Sequence, residues 1–243
     1  MKLLSLNIWG GKVYPELAKL IKKHKSIDIF CLQEVYHNGI VLRPHTKDMR
    51  MDIFNDIQRI LKNHQGFFSP TEDREEGLAI FIKKNILIAK LEEHFVYRWK
   101  NSVENFDAST RGRLIQVVQF VFDNNNYSVV NFHGLWNGLG KVDSPERIKQ
   151  SKMIRNHIEK YMGKVILCGD FNLLPSTQSI KILQENMINL IEEFNVTSTR
   201  SGLYKKPERF ADYILVSKDI KIKTFRVFSD EVSDHLPLYL EFE

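Results

Sequence analysis

The sequence predicts a layered α/β sandwich, with mixed β-sheets packed face to face and helices outside. Three observations predict it. Short apolar, strand-like runs recur from one end of the chain to the other. Stretches of helical periodicity fall between them, and the cluster Asp123-Asn124-Asn125-Asn126 joins two of the runs by a hairpin. Strands joined partly by helices and partly by hairpins build mixed sheets covered by helices. With 243 residues, 43% of them hydrophobic and 27% charged, the chain has the material for a large core. One domain spanning residues 1–243 is expected.

Taken in order, residues 3–8 are the first strand. Asn7, Gly10, Gly11 and Lys12 cut its apolar stretch too short for a signal peptide. Leu17, Leu20 and Ile21 repeat with helical spacing, residues 27–32 form a strand, and Ile53, Ile57, Ile60 and Leu61 mark a second helix. Strands follow at 78–82, 114–122 and 127–132. Ser144-Pro145-Glu146 then supplies an N-cap serine and a proline at the first helical position, starting a helix that runs to about Met162. A strand at 165–168 precedes a helix capped by Ser176 and reaching about Glu185, and strands at 213–216, 221–228 and 238–242 complete the chain. No run approaches the roughly eighteen apolar residues that span a bilayer, so a cytoplasmic protein without a transmembrane segment is expected. Cys31 and Cys168 lie inside apolar runs and are expected as reduced core residues. No repeat or low-complexity tract appears, and nothing points to a protein partner.

Chemistry concentrates where apolar runs stop. Residues 164–168 end at Gly169-Asp170-Phe171-Asn172, and the last strand is preceded by Ser233-Asp234-His235. Polar groups at the margin of a core need a metal, a counter-charge or hydrogen bonds. Asn7, Glu34 and His133 also end strands. A carboxylate with nearby amide oxygens suits Mg²⁺ or Mn²⁺, whereas no Cys/His cluster has zinc spacing. Asp170 and Asn172, one residue apart, project to the same side of an extended segment, where an acid can take a proton from water while the amide orients a phosphate. Asp234-His235 adds a carboxylate and a group titrating near neutrality, and Asp212 is placed to orient His235 through a ring nitrogen.

Asn7, Gln33-Glu34, His133, Gly169-Asp170-Phe171-Asn172, Asp212-Tyr213 and Ser233-Asp234-His235-Leu236-Pro237 together resemble the ordered motifs of the endonuclease/exonuclease/phosphatase superfamily. That group includes DNase I-like nucleases, abasic-site endonucleases, neutral sphingomyelinases, inositol phosphatases and deadenylases. The resemblance implies a four-layered α/β sandwich and Mg²⁺-dependent hydrolysis of a phosphate ester. It makes Glu34 the principal metal ligand with Asn7 beside it, and puts Asp234 at the metal or its water shell. Asp170 would position the attacking water, Asn172 would hold a phosphate oxygen, and His235, oriented by Asp212, would contact the scissile phosphate. His133 resembles the second histidine of the DNase I and sphingomyelinase branches, and Glu76 matches the glutamate on which that histidine leans.

The substrate is open at this stage. A nuclease or nucleotide phosphodiesterase is the leading expectation: Arg111, Arg113, Arg200, Lys205, Lys206 and Arg209 would hold phosphates, and Trp9, Trp136 or Tyr204 would stack a base. The net charge of +5 fits an anionic partner, though the basic residues fall in small groups. A phospholipid or sphingomyelin phosphodiesterase, or a phosphatase of small esters, is the alternative. Residues 93–99 are the nearest approach to a membrane-docking hairpin, and charge interrupts them. A silent binding module on the same scaffold is disfavoured by the full set of competent side chains. A nucleotide-binding fold is disfavoured too, because no glycine-rich loop follows a strand.

Overall fold

The apolar runs pair into two sheets. A computed structural model of the chain describes residues 1–39, 47–72, 75–97 and 112–243. In order these form β1 (Lys2–Asn7), α1 (Tyr14–Lys23), β2 (Ile29–Tyr36), α2 (Ile53–Ile60), β3 (His64–Glu72), β4 (Glu76–Lys83), β5 (Ile88–Tyr97), β6 (Arg113–Phe122) and β7 (Asn125–His133). There follow α3 (Pro145–Ile158), β8 (Lys164–Asp170), α4 (Gln178–Leu183), β9 (Met187–Asn189), α5 (Leu190–Glu193), β10 (Asp212–Ser217), β11 (Ile222–Val227) and β12 (Leu238–Phe242). One six-stranded sheet has the order β11-β12-β1-β2-β4-β3 and the other β5-β6-β7-β8-β10-β9. Both are mixed, since β1 runs parallel to β2 and β7 parallel to β8 while their other neighbours are antiparallel.

Strand alternation sorts side chains to two sides of each sheet. In β1 and β2, Leu3, Ile29 and Cys31 face the second sheet and join Val118, Val129, Cys168 and Ile214 in the central core. Leu4, Leu6, Phe30 and Leu32 face the other way and pack under Leu17, Leu20, Ile53 and Ile57 of α1 and α2. On the far side Ile154, Ile158 and Ile180 of α3 and α4 cover the second sheet, and α5 lies against β10. The result is four layers, helix, sheet, sheet, helix, as expected. Cys31 and Cys168 are both fully buried free thiols, and burial pushes the Cys31 thiol well above its ordinary range.

The strands that sequence patterning missed, β3, β5 and β9, are all sheet edges. β3 contains Gly66 and Pro70, and β5 alternates Lys90, Glu92 and Glu93 with partly exposed residues. Proline and charge are tolerated at an edge, where one row of backbone groups faces solvent. Two helix limits also differ. Thr177, not Ser176, caps α4, its hydroxyl accepting from the Ile180 N–H, and α3 stops at Ile158 rather than Met162. Ser144 caps α3 as expected, accepting from the Arg147 N–H.

A polar rivet joins the sheets beneath one edge of the sandwich. Gln33 Nε2 on β2 donates to Asn131 Oδ1 on β7 at 2.7 Å. Asn131 Nδ2 in turn donates to the Leu32 and Ala79 carbonyls at 3.1 and 3.3 Å. The parallel pairs β1/β2 and β7/β8 bring their carboxyl ends to this edge, together with the amino ends of β4 and β10. Register then sets Asn7 beside Gln33, His133 beside Asp170, and Asp212 beside Asp170.

Candidate active site

Each polar residue arrives by a specific backbone device. Glu34 occupies a bulge in β2, where the register against β4 shifts between Leu32 and Val35 and Glu34 adopts φ +54°. A bulge re-aims one side chain, and here it turns a carboxylate out of the strand alternation. Asn172, at φ +55°, follows β8 in the same left-handed region, with its N–H donating to Asp170 Oδ1 at 2.9 Å. Gly169 has φ +138°, and a Cβ there would lie 1.9 Å from the Phe132 carbonyl oxygen, so only glycine lets β8 close on β7 just before Asp170.

The side chains converge. Asn7 Nδ2 donates to Glu34 Oε1 at 2.9 Å and to Asp170 Oδ2 at 3.0 Å, while its Oδ1 accepts from the Trp9 N–H and keeps a second lone pair. His133 Nε2 and His235 Nε2 lie 3.7 and 3.6 Å from Asp170 Oδ2. Asp212 accepts from His235 Nδ1 at 2.8 and 2.9 Å, the partnership that fixes the ring. Asp234 accepts from Arg200 Nη1 at 3.1 Å, and the same Nη1 donates to His235 Nε2. Glu76 and Trp136 line the same pocket, of about 470 Å³, as do Trp9, Arg113, Lys205 and Lys206. Arg209 is exposed and is not among the lining residues. Arg111 lies outside the described residues, as do residues 98 and 99 of the segment considered for membrane docking; residues 93–97 belong to β5.

Sequence patterning missed Lys141 altogether, and it named Arg200 only among the cations that would hold phosphates, with no link to Asp234 or His235. Lys141 and Arg200 are buried, 2% and 7% exposed. Lys141 Nζ donates to Asn172 Oδ1 at 2.7 Å, and that amide's Nδ2 donates to the Gly134 carbonyl at 3.3 Å. Lys141 follows Gly138 and Gly140 in a polar loop, where a lysine reads as solvated. Its burial depends on Arg147 of α3, whose guanidinium donates to the Leu135, Gly140 and Val142 carbonyls and folds the loop inward.

The electrostatics are divided. Burial, then the charges of Glu76 and Asp234, push the Glu34 carboxyl up to about 7, against the opposing Asn7 hydrogen bond and His235. Asp170 goes the other way. Burial alone would raise it, but His235, Lys141, His133 and Arg200 hold it well below the usual carboxylate range. His235 is raised, because Asp212 and Asp170 outweigh burial and Arg200. Glu34, His133 and Asp170 offer ligand atoms all within 4.8 Å of one another. Acids that repel one another across a shared space, with an amide beside them, fit a hard divalent cation. Asp170, Asp212 and His235 are equally close, but the Asp212–His235 hydrogen bonds already account for that group.

Similar folds are known. The chain superposes on the mannosyl-6-phosphatase of Bacteroides thetaiotaomicron with a TM-score of 0.77 and 18% identity, covering 100% of this chain and 99% of that one. For a humanised Danio rerio TDP2 the values are 0.71 and 15%, with 100% and 98% covered. For the human Nocturnin catalytic domain they are 0.70 and 18%, with 100% and 93% covered. Over 125 residues the chain is 34% identical to a UPF0294 protein of Yersinia enterocolitica, a match spanning 51% of this chain and 45% of that protein's length. The model of the Endonuclease/Exonuclease/phosphatase family matches residues 4–235. With that match covering nearly the whole sequence, on a DNase I-like sandwich whose strand ends meet around one pocket of acids and cations, the chain belongs to the endonuclease/exonuclease/phosphatase family.

Proposed function

We propose that the protein hydrolyses a phosphate ester with Mg²⁺ or Mn²⁺ held at Glu34, assisted by Asn7 and Asp234. The observation that carries this reading is the meeting of Glu34, His133, Asp170 and Asn172 at one pocket, with Asn7 and His235 packed against Asp170 behind it, although more than two hundred residues separate Asn7 from His235. The bound cation supplies Lewis-acid neutralisation of charge that builds on the phosphate. The chain's own groups do the rest. Asp170, ionised across the neutral range, aligns a water by accepting its hydrogen bond, and its low basicity makes it an orienter more than a proton acceptor. Asn172 Nδ2 and the two histidines stabilise the phosphoryl oxygens, with His235 held in register by Asp212.

The substrate class this geometry favours is a small phosphate ester carrying a ring, such as a nucleotide or a sugar phosphate. The pocket has depth, with Trp9, Trp136 and Tyr204 as aromatic walls beside a basic floor. The similar mannosyl-6-phosphatase supports a small-ester reading. Nucleic acid is the second reading, favoured by Lys205 and Lys206 at the rim, with Lys206 Nζ 4.8 Å from the Trp136 ring centre. The test is turnover by the purified protein with Mg²⁺, with Mn²⁺ and with chelator. The panel is aryl phosphate, bis-aryl phosphate, a nucleotide, single- and double-stranded DNA, RNA and sphingomyelin. Metal-stimulated release from one class, lost in Asp170→Asn, is expected. Turnover indifferent to chelator, or unchanged in that variant, removes the reading.

A further inference from the structure

The floor of the pocket holds two cations that metal-assisted hydrolysis does not by itself require. Lys141 is tied through Nζ to Asn172 Oδ1, and Arg200 is tied through Nη1 to Asp234 and His235. Both are more than nine-tenths buried, and both sit against aromatic rings. Lys141 Nζ is 5.5 Å from the Trp136 ring centre, and the Arg200 guanidinium carbon is 4.0 Å from that of Tyr204. A surface rim of lysines would serve any anion. A desolvated ammonium at the floor is costly unless acceptors or opposite charge meet it, and a bound phosphate would supply both.

We propose that Lys141 and Arg200 form a clamp for a terminal, dianionic phosphate, so that the pocket selects phosphomonoesters over phosphodiesters. This rests on the phosphate-ester reading above and narrows it. The chemistry is a matter of counting oxygens. A monoester presents three non-bridging oxygens sharing two negative charges, and each seeks its own donor. The pocket supplies them from separate sides: the cation expected at Glu34, the Asn172 amide with Lys141 behind it, and the His235–Arg200 pair. A diester has two such oxygens and one charge. Its second ester oxygen, with carbon attached, would be pressed against a buried cation that it cannot satisfy. Its second organic group would also need room on a floor already filled by Lys141, Asn172 and Arg200.

Two further observations agree. Burial, with the neighbouring charge of Arg200, draws the Lys141 ammonium down to about 8 against the opposing Asp170, Asp212 and Glu208. Lys141 also carries three N–H donors, of which the Asn172 contact uses one. Reaction follows the same balance. Water oxygen bonds to phosphorus, the P–O bond to the alcohol breaks, and the leaving oxygen takes up a proton. Inorganic phosphate remains in the clamp until release.

The decisive experiment compares para-nitrophenyl phosphate with bis-para-nitrophenyl phosphate, which share a leaving group, in the presence of Mg²⁺ or Mn²⁺. The wild-type kcat/KM should favour the monoester by on the order of tenfold or more. Lys141→Met should lower the monoester value by about 10- to 100-fold, the size of one charge-assisted contact, and because Lys141 also holds Asn172 it should lower the diester value too, but by at least about tenfold less. Lys141→Arg should restore much of the preference, and thermal melting of both variants establishes that they are folded. Arg200 is the less clean target, because it also holds Asp234 and His235. A second readout is calorimetric binding of inorganic phosphate against dimethyl phosphate to the metal-loaded protein. Wild type should prefer inorganic phosphate by about tenfold or more, and Lys141→Met should lose that preference. Equal or better diester turnover by wild type overturns the clamp, as does a matched loss on both esters in Lys141→Met. If neither ester turns over, the small-ester reading fails, and the binding preference alone decides whether the clamp exists.

Discussion

At Glu34 the acid-base chemistry and the proposed metal site meet. Its carboxyl rises from an ordinary 4.5 to about 7 because burial and the charges of Glu76 and Asp234 disfavour ionisation. An acid whose folded pKa lies above its unfolded value holds more protons in the native state between the two. Stability of the metal-free protein therefore falls as pH rises from about 4.5 to about 7. A divalent cation reverses that penalty by pairing with the ionised form. We predict that the melting-temperature increase caused by Mg²⁺ is small at pH 5, grows through pH 7, and is lost in Glu34→Gln; a Mg²⁺ effect independent of pH would sink this. His235 and Asp170 carry a different prediction. Either His235→Ala or Asp170→Asn should lower kcat by about 10²–10³, the cost of one preorganised contact, with the fold retained by circular dichroism. Asp212→Asn should lower kcat through His235, since an amide brings no charge to the ring and can turn its own N–H toward Nδ1.

Two devices at the scale of elements position these groups. Gln33 and Asn131 bolt β2 to β7 directly beneath Glu34 and His133, and both are fully buried. Asn131→Ala leaves the Gln33 Nε2 with only the Cys31 carbonyl and the Leu32 and Ala79 carbonyls without the Asn131 donor. Urea unfolding should show a loss of about 1–3 kcal/mol or somewhat more, and a change within error would mean the network carries no net stability. The loop of residues 134–143 is the second device. Arg147 of α3 gathers its carbonyls, the Leu174 N–H donates to the Lys141 carbonyl at 2.8 Å, and Asp143 caps α4 by accepting from the Gln178 and Ser179 N–H groups. Lys141 is thus held between two helices. Arg147→Lys keeps the charge but loses the planar fork that reaches three carbonyls. The expected outcome is a fall in kcat/KM similar in kind to that of Lys141→Met, together with lost stability. Full activity in Arg147→Lys would show that the loop orders itself without the guanidinium.

Across the whole molecule the two ends of the chain are neighbours. β1 lies between β12 and β2, and the Met1 ammonium donates to the Phe242 carbonyl at 2.5 Å. Leu238, Leu240 and Phe242 of β12 are fully buried. Losing a core leucine typically costs about 2–5 kcal/mol and a core phenylalanine about 3–5. Removing residues 238–243 therefore forfeits an amount comparable with the entire stability of an ordinary domain, about 5–15 kcal/mol. The truncated chain should lack a cooperative thermal transition, although it keeps His235 and every other candidate site residue. A native-like melt would show that β12 is dispensable. Among the described residues no helix is long and apolar enough to cross a membrane.

Much of this was written into the order of residues. Continuous burial in β1, β2, β7, β8 and β10 made the interior strands readable, because a strand buried on both faces is an unbroken apolar run. The polar residues that end those strands stood out against that background, so Asn7, Glu34, His133, Asp170 and His235 were visible as a set. The edge strands β3, β5 and β9 were not, since an edge has no need of an unbroken apolar pattern and carries proline, glycine and charge instead. Lys141, and the burial of Arg200, were hidden for a related reason: each sits in a polar loop, and whether such a cation meets water or a pocket is settled by what folds over it. For Lys141 that is Arg147 and the Asn172 amide, and for Arg200 it is Asp234 and His235. Strand periodicity is a local property of the chain, whereas the burial of a loop cation depends on contacts between segments far apart in sequence.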